Sequence, residues 1–167
     1  IVYNRKSQED VFISAVSLRR KLELEAVQEQ KNGGKYIRPI VLFQAQPRNN
    51  DDSTTYEKIK HTLMEMGIPE SEIAIKTADK DELKNIDLSS SDCNIRYIIT
   101  VNALKEGWDC PFAYILATVA NRTSSIDVEQ ILGRILRLPN TKKNKSEVLN
   151  LSYVITSSNA FYATLDK

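Results

Sequence analysis

Apolar positions recur at two spacings along the chain, and each spacing predicts a different kind of element. Intervals of three and four residues predict amphipathic helices over residues 8–31, 54–67, 79–86 and 125–138. Short apolar runs bounded by turn residues predict strands over residues 37–44, 72–76, 95–101, 113–120 and 148–156. Strands that alternate with helices are typical of an α/β fold, with a mostly parallel sheet and helices on both faces.

The first predicted helix has the clearest pattern, and Asn32-Gly33-Gly34 ends it. Its inward positions are Val11, Ala15, Leu18, Leu22 and Ala26. We assign residues 1–34 to an N-terminal amphipathic helix and linker, and residues 35–167 to the main domain. Because ligands on parallel sheets bind at the carboxyl ends of the strands, functional residues are expected in the loops that follow residues 44, 76, 101 and 120.

The composition is that of an ordinary soluble domain, and it excludes several classes of protein. The 167 residues carry a net charge of +1, so any contact with nucleic acid must come from a local patch. No apolar run approaches the roughly 18 residues of a membrane span, and Arg5 and Lys6 interrupt any signal peptide. Cys93, Cys110 and the single His61 indicate free thiols in a cytoplasmic protein without a metal site.

The segment EQILGRILRLP, residues 129–139, gathers polar side chains on one stripe of the predicted helix. Gln130, Arg134 and Arg137 follow at intervals of four and three, and Pro139 ends the segment. Gly133 costs about 1 kcal/mol inside a helix, which suggests a close approach to the backbone there. The segment is either a surface helix with a polar face or a pair of guanidinium groups held for a polyanion such as a nucleotide triphosphate.

The segment VNALKEGWDCP, residues 101–111, directly follows the most apolar strand. Gly107 can adopt a positive φ, and Asp109 offers a carboxylate that a ribose hydroxyl could bind. The alternative is a simple turn in which Asp109 caps a backbone N–H and Trp108 fills the core.

Together the two segments resemble motifs V and VI of superfamily 2 helicases and translocases, which lie in the second RecA-like domain of those proteins. The segments LKEGWDCP and Leu136-Arg137-Leu138-Pro139 are most similar to the corresponding segments of the ATPase, or restriction, subunit of type III restriction enzymes. The predicted strand over residues 37–44 lies where motif IV is expected. One departure is that Val101 and Asn102 stand where many relatives have threonine and aspartate.

The resemblance implies a role for each matching residue. Arg134 and Arg137 match the motif VI arginines, which reach the triphosphate bound by the first RecA-like domain and stabilise the charge that develops on the transferred phosphoryl group. Gln130 matches a position close to the γ-phosphate. Gly107 and Asp109 match the motif V residues near the ribose, and Gly133 is assigned to the same nucleotide site. Nucleic-acid contacts are expected at Gln44, Thr77, Thr100, Asn102 and Lys105.

A phosphate-binding loop of the form GxxxxGK[ST] is missing from the sequence. The nearest match, Gly33-Gly34-Lys35, is followed by Tyr36 and has no upstream glycine. We therefore expect ATP and Mg²⁺ in the full-length protein to be bound mainly by a lobe that these residues lack. By itself, the 167-residue segment is expected to bind no cofactor and to be inactive.

The predicted function is that of the C-terminal lobe of an ATP-dependent DNA translocase, from the restriction endonuclease subunit of a type III system. The partners that the resemblance implies are double-stranded DNA, the N-terminal RecA-like lobe of the same protein and a methyltransferase subunit, with no membrane. The alternative is a non-catalytic α/β module that binds nucleic acid or protein. A small nucleotide-binding enzyme with a complete site is disfavoured, because the glycine-rich phosphate loop is absent.

Overall fold

The computed structural model describes residues 1–45, 55–78, 80–101, 110–119, 130, 136–137 and 144–157. Two α-helices have both ends within these residues, α1 (Gln8–Lys31) and α2 (Tyr56–Glu65). The strands are β1 (Val2–Asn4), β2 (Ile40–Gln44), β3 (Ile73–Lys76), β4 (Tyr97–Thr100), β5 (Cys110–Pro111), β6 (Ala113–Thr118), β7 (Leu136–Arg137) and β8 (Tyr153–Thr156). Two single turns of 3-10 helix, Glu70–Glu72 and Glu147–Asn150, precede β3 and β8.

Six of the strands form one sheet in the order β1-β8-β6-β2-β4-β3, and every pairing in it is parallel. The central strands β2, β4 and β6 are buried along almost their whole length, as expected for a parallel sheet covered by other elements. A second, two-stranded sheet pairs β5 with β7. The predicted single α/β domain with a parallel sheet is therefore confirmed.

The helix α1 spans the residues that the sequence pattern predicts. Ser7 caps its start by accepting a hydrogen bond from the Asp10 N–H at 3.2 Å. Its end is followed by Gly33, whose φ of 91° few other residues adopt. Phe12 of α1 stacks on Phe43 of β2 with ring centroids 5.1 Å apart, so α1 packs on one face of the sheet.

Residues 1–34 share the core of the rest of the domain. The strand β1 is the edge strand of the main sheet and pairs with β8 near the other end of the described chain. Four of the five predicted inward positions of α1 are fully buried, and Leu18 packs partly buried against them. The N-terminal segment therefore contributes both an edge strand and a large part of the hydrophobic core.

The predicted short helix over residues 79–86 is wrong for the part that the structure describes. After β3 the chain turns back, and Asp81 forms an antiparallel bridge with Lys76. Carboxylates make local bonds there that compete with a helix: Glu82 Oε1 accepts from the Ile75 N–H at 2.7 Å, and Asp81 Oδ1 accepts from the Leu83 N–H at 3.0 Å. The turn closes at Asn85, which has a φ of 65°. This return of the chain covers part of the outer edge of β3.

Two other boundaries also differ from the prediction. The helix predicted over residues 125–138 does not extend to Leu136 and Arg137, because these residues pair as a strand with Cys110 and Pro111. The strand predicted over 148–156 begins only at Tyr153, because residues 147–150 form a 3-10 turn. The hydroxyl of Tyr153 donates to the Val148 carbonyl at 3.0 Å and holds this turn beside the strand.

The segment that leads into β4 is held by one buried arginine. Arg38 is 1% exposed, and its guanidinium group lies over the Phe112 ring, 5.6 Å from the centroid. It donates to the carbonyl oxygens of Leu88, Ser90 and Ile95, and to the Tyr36 hydroxyl. Because these carbonyls are distributed along the loop before β4, Arg38 ties that loop to the start of β2.

Neither of the two cysteines forms a disulfide bond; Cys110 is buried and Cys93 is half-buried. Among the helices in the described part of the chain, none has the length and apolar character needed to cross a lipid bilayer.

Candidate functional site

The carboxyl edge of the main sheet carries a row of polar side chains, one from each strand. Their backbone positions are paired directly from strand to strand. In the order of the sheet, the row is Asn4, Thr156, Thr118, Gln44, Thr100 and Lys76. All six strands therefore end in register on a polar residue, at the edge where parallel sheets bind ligands.

The row lies on the face of the sheet that is turned away from α1. Successive side chains of a strand point to opposite faces. Since Phe43 stacks on α1, the next residue, Gln44, points to the other face. Tyr97 also reaches α1, where its hydroxyl accepts from Arg19, so Thr100, three residues later, again points away from α1. Residues paired in a parallel ladder share a face, which places the whole row on one side.

Two neighbours in this row have buried polar atoms without a hydrogen bond in the described part of the chain. These atoms are the Thr100 hydroxyl and the Gln44 carbonyl oxygen Oε1. Thr100 is 0% exposed, and its Cα position is paired with that of Gln44. An unpaired buried hydroxyl costs about 1–3 kcal/mol. Two adjacent atoms of this kind make this part of the carboxyl edge a candidate site for a polar ligand.

Replacing Thr100 by valine is expected to raise the free energy of unfolding by up to about 1 kcal/mol, because valine has the same shape and removes the unpaired hydroxyl. The matched control is Thr118→Val in the same row. Thr118 is almost equally buried, but it is not without a partner, so this variant is expected to lose about 1 kcal/mol. Urea unfolding monitored by circular dichroism measures both. A loss of stability in Thr100→Val as large as that in Thr118→Val would mean that the Thr100 hydroxyl is satisfied.

Thr77, the third predicted nucleic-acid contact in the described residues, has a different environment. It is 7% exposed, and its hydroxyl accepts from the Lys80 N–H at 3.1 Å. The Thr77 N–H donates to the Lys80 carbonyl at 2.7 Å. These bonds close the turn after β3, so the Thr77 side chain already has a structural use. At the end of the row, Lys76 forms a salt bridge with Asp81, with Nζ 3.3 Å from Oδ2.

The two sequence segments singled out for their chemistry lie side by side at their ends. Cys110 directly follows Asp109 in the chain, and it pairs with Leu136 in the parallel ladder of β5 and β7. Pro111 pairs with Arg137 in the same ladder. Arg137, near the end of one segment, is therefore in backbone register with the proline that ends the other. This pairing also corrects the prediction that Gln130, Arg134 and Arg137 lie on one stripe of a helix, since Arg137 belongs to a strand.

The other predicted site residues are distributed unevenly over the described part of the chain. Gln130 is helical and exposed. Six predicted residues lie outside the described residues, namely Asn102, Lys105, Gly107, Asp109, Gly133 and Arg134. Among the described residues, no group of three or more histidine, cysteine, aspartate or glutamate side chains is arranged to hold a metal ion.

Comparison of the chain with known protein families finds no matching family, and comparison with curated proteins finds no match. The features of the chain that indicate a function are the two sequence segments and the geometry of the carboxyl edge.

The sequence did not reveal four members of the polar row: Asn4, Lys76, Thr118 and Thr156. Each stands at the end of an apolar strand, which is the signal that could have identified it. Only the register of the sheet shows that they align, because pairings such as that of Asn4 with Thr156 join distant parts of the chain.

Proposed function

We propose that this chain is the second RecA-like lobe of an ATP-dependent DNA translocase, of the kind found in the restriction subunit of type III restriction enzymes. In this proposal Arg134 and Arg137 contribute positive charge to ATP that another lobe binds through its phosphate loop and Mg²⁺. Gln130 lies near the terminal phosphate and the attacking water. Asp109, with Gly107, approaches the ribose.

The observation that carries the proposal is the pairing of β5 with β7. An ATP site built from two separate segments of one lobe needs those segments to be adjacent. The ladder Cys110–Leu136 and Pro111–Arg137 provides that adjacency through backbone hydrogen bonds, which do not depend on side-chain conformation. A solvated helix with an unrelated turn elsewhere in the chain would have no reason to be joined in this way.

Nucleic acid is the proposed partner of the polar row, since the resemblance assigns Gln44 and Thr100 to nucleic-acid contacts. Hydroxyl and amide side chains commonly bind phosphate and sugar oxygens of the backbone, and such contacts carry no sequence information. The unpaired Thr100 hydroxyl can donate to a backbone oxygen of DNA, whereas the unpaired Gln44 carbonyl oxygen only accepts and needs a donor from the ligand. Recognition of a DNA sequence is assigned to the methyltransferase partner in this proposal.

The chain alone is expected to bind duplex DNA weakly, with an affinity that falls steeply as salt increases. The net charge of +1 provides no general attraction, and in the proposed enzyme the other lobe contributes to the DNA-binding surface. Fluorescence anisotropy of a labelled duplex, titrated at about 50 mM and about 200 mM salt, measures this. Thr100→Val is expected to weaken binding about threefold or more through the loss of one hydrogen bond. An affinity for the duplex that does not change with salt, or that Thr100→Val leaves unchanged, would contradict the proposed contact.

The same chain is expected to hydrolyse ATP no faster than buffer alone, because its sequence contains no segment of the form GxxxxGK[ST]. Release of phosphate from ATP, with and without duplex DNA, measures this. Turnover by the chain alone that Arg134→Ala abolishes would overturn the proposal that the ATP site is shared between two lobes.

A further inference from the structure

A polar cavity of about 500 Å³ lies on the α1 side of the sheet, at the opposite edge from the polar row. It is bounded by the middle of α1, the turn that follows α2 and the segment that enters β4 at Tyr97. Because Tyr97 begins β4 and Thr100 ends it, the cavity and the polar row lie at opposite ends of the same strand. The cavity is therefore separate from the polar row that forms the proposed DNA surface, and what it binds does not depend on that row.

A buried network fixes one wall of this cavity. Arg19, which is 4% exposed, donates to the Tyr97 hydroxyl at 3.2 Å and to the Pro39 carbonyl at 3.3 Å. It also donates to one carboxylate oxygen of Glu23 at 3.1 Å, and the other oxygen accepts from Nε of Arg96 at 3.0 Å. Burial raises the pKa of Glu23, but the hydrogen bonds from the two arginines outweigh it and hold the pKa below its usual value. Glu23 is thus ionised at neutral pH, and each of its carboxylate oxygens accepts a hydrogen bond from a guanidinium group.

Guanidinium donors remain available after this network is formed. Arg96 uses Nε for Glu23 and Nη1 for the Asn94 carbonyl at 3.0 Å, and its Nη2 has no acceptor among the described residues. Arg20 also lines the cavity, is exposed, and forms neither a hydrogen bond nor an ion pair within the described part of the chain. The three arginines of the wall face two carboxylates, Glu23 and Glu72, which leaves an excess of one positive charge.

We propose that this cavity binds a small phosphorylated molecule through Arg96 and Arg20. Arg96 is already oriented by two bonds, so it loses little freedom when its Nη2 donates to a phosphate oxygen. The planar fork of Arg20 matches two phosphate oxygens. The Ser71 hydroxyl and the Asn94 amide are neutral hydrogen-bonding groups on the same wall. The volume lies within the range of about 300–1,000 Å³ that is usual for small-molecule sites, and it leaves room for a polar organic part such as a sugar.

Isothermal titration of the 167-residue chain with ribose 5-phosphate tests this site, with inorganic phosphate and a short DNA duplex as parallel titrants. Saturable binding of ribose 5-phosphate, tighter than that of inorganic phosphate, is expected. Arg96→Gln and Arg20→Gln should each weaken it about tenfold or more, because each removes a charge-assisted bond. The matched control is Lys21→Gln, which removes the same charge one residue away, at a side chain that lines a different cavity.

Arg20→Gln keeps the test decisive if Arg96→Gln disturbs the wall, because Arg20 is exposed and makes no structural bond. Absence of saturable binding at millimolar ribose 5-phosphate would overturn the proposal. Equal weakening by Lys21→Gln would also overturn it, since the effect would then be general charge attraction. Displacement of ribose 5-phosphate by the duplex, with loss of duplex binding in Arg20→Gln, would assign the cavity to backbone phosphates and overturn the small-molecule assignment. None of these outcomes depends on ATP hydrolysis, so the site and the proposed ATPase role can fail separately.

Discussion

Replacing Arg137 or Arg134 by alanine is expected to lower ATP turnover by about 10³-fold in a protein that contains this chain together with its phosphate-loop lobe. A guanidinium group that reaches the transferred phosphoryl group stabilises charge that is greater in the transition state than in bound ATP. Its loss should therefore lower kcat with little change in KM. Steady-state phosphate release at saturating DNA, over a range of ATP concentrations, separates the two parameters.

Two control variants separate the geometry of the guanidinium group from its charge, and the proposed site from the exposed surface. Arg137→Lys keeps the charge but loses the two-pronged geometry, so it is expected to recover only part of the activity. Lys21→Ala removes a cation from the exposed surface of α1 and is expected to leave kcat unchanged. Circular dichroism and the thermal midpoint of each variant show whether the fold is intact. A folded Arg137→Ala variant with near-normal kcat would mean that Arg137 is a solvated side chain.

Replacing Arg38 by methionine is expected to lower the free energy of unfolding by about 3–5 kcal/mol. Methionine preserves much of the apolar stem beside Phe112, but it leaves the buried carbonyl oxygens of Leu88 and Ile95 and the partly buried carbonyl oxygen of Ser90 without their donors. Each unpaired buried acceptor costs about 1–3 kcal/mol, although water entering the loop recovers part of that. Urea unfolding measures the change in midpoint and in slope.

Two variants test whether the carbonyl contacts are the cause of the Arg38 effect. Tyr36→Phe removes only the hydroxyl that accepts from Arg38 at 3.2 Å and is expected to cost about 1 kcal/mol. Arg20→Met makes the same chemical change at an exposed position and is expected to change stability by less than about 0.5 kcal/mol. A loss below about 1 kcal/mol in Arg38→Met would show that the loop before β4 does not depend on this arginine.

Elements set by local spacing could be predicted from the sequence. The bounds of α1 follow from apolar positions three and four residues apart and from the glycines after it, since Gly33 permits the positive φ that ends the helix. The strands β2, β3, β4 and β6 lie inside the predicted apolar runs, because fully buried parallel strands are continuously apolar. The position of Gln44 and Thr100 at the carboxyl edge follows from the same α/β pattern.

Features set by contacts between distant residues could not be predicted. The strand β1 has only three residues and depends on β8 for its pairing. Leu136 and Arg137 continue a helical spacing, yet pairing with β5 makes them a strand. Arg19 is a charged residue inside a highly charged helix, and its hydrogen bonds to Tyr97, Glu23 and the Pro39 carbonyl explain its burial. The register that aligns Gln44 with Thr100 is likewise invisible in a single sequence.

The measurement that tests the central proposal most directly is reconstitution of ATP hydrolysis from two parts. Phosphate release would be compared for this chain alone, for the polypeptide that supplies the phosphate loop alone, and for the two together, with duplex DNA present. The shared-site proposal predicts turnover only in the mixture, and loss of that turnover when the chain carries Arg137→Ala. Turnover by either part alone at the rate of the mixture, or a mixture that Arg134→Ala and Arg137→Ala leave fully active, would contradict it.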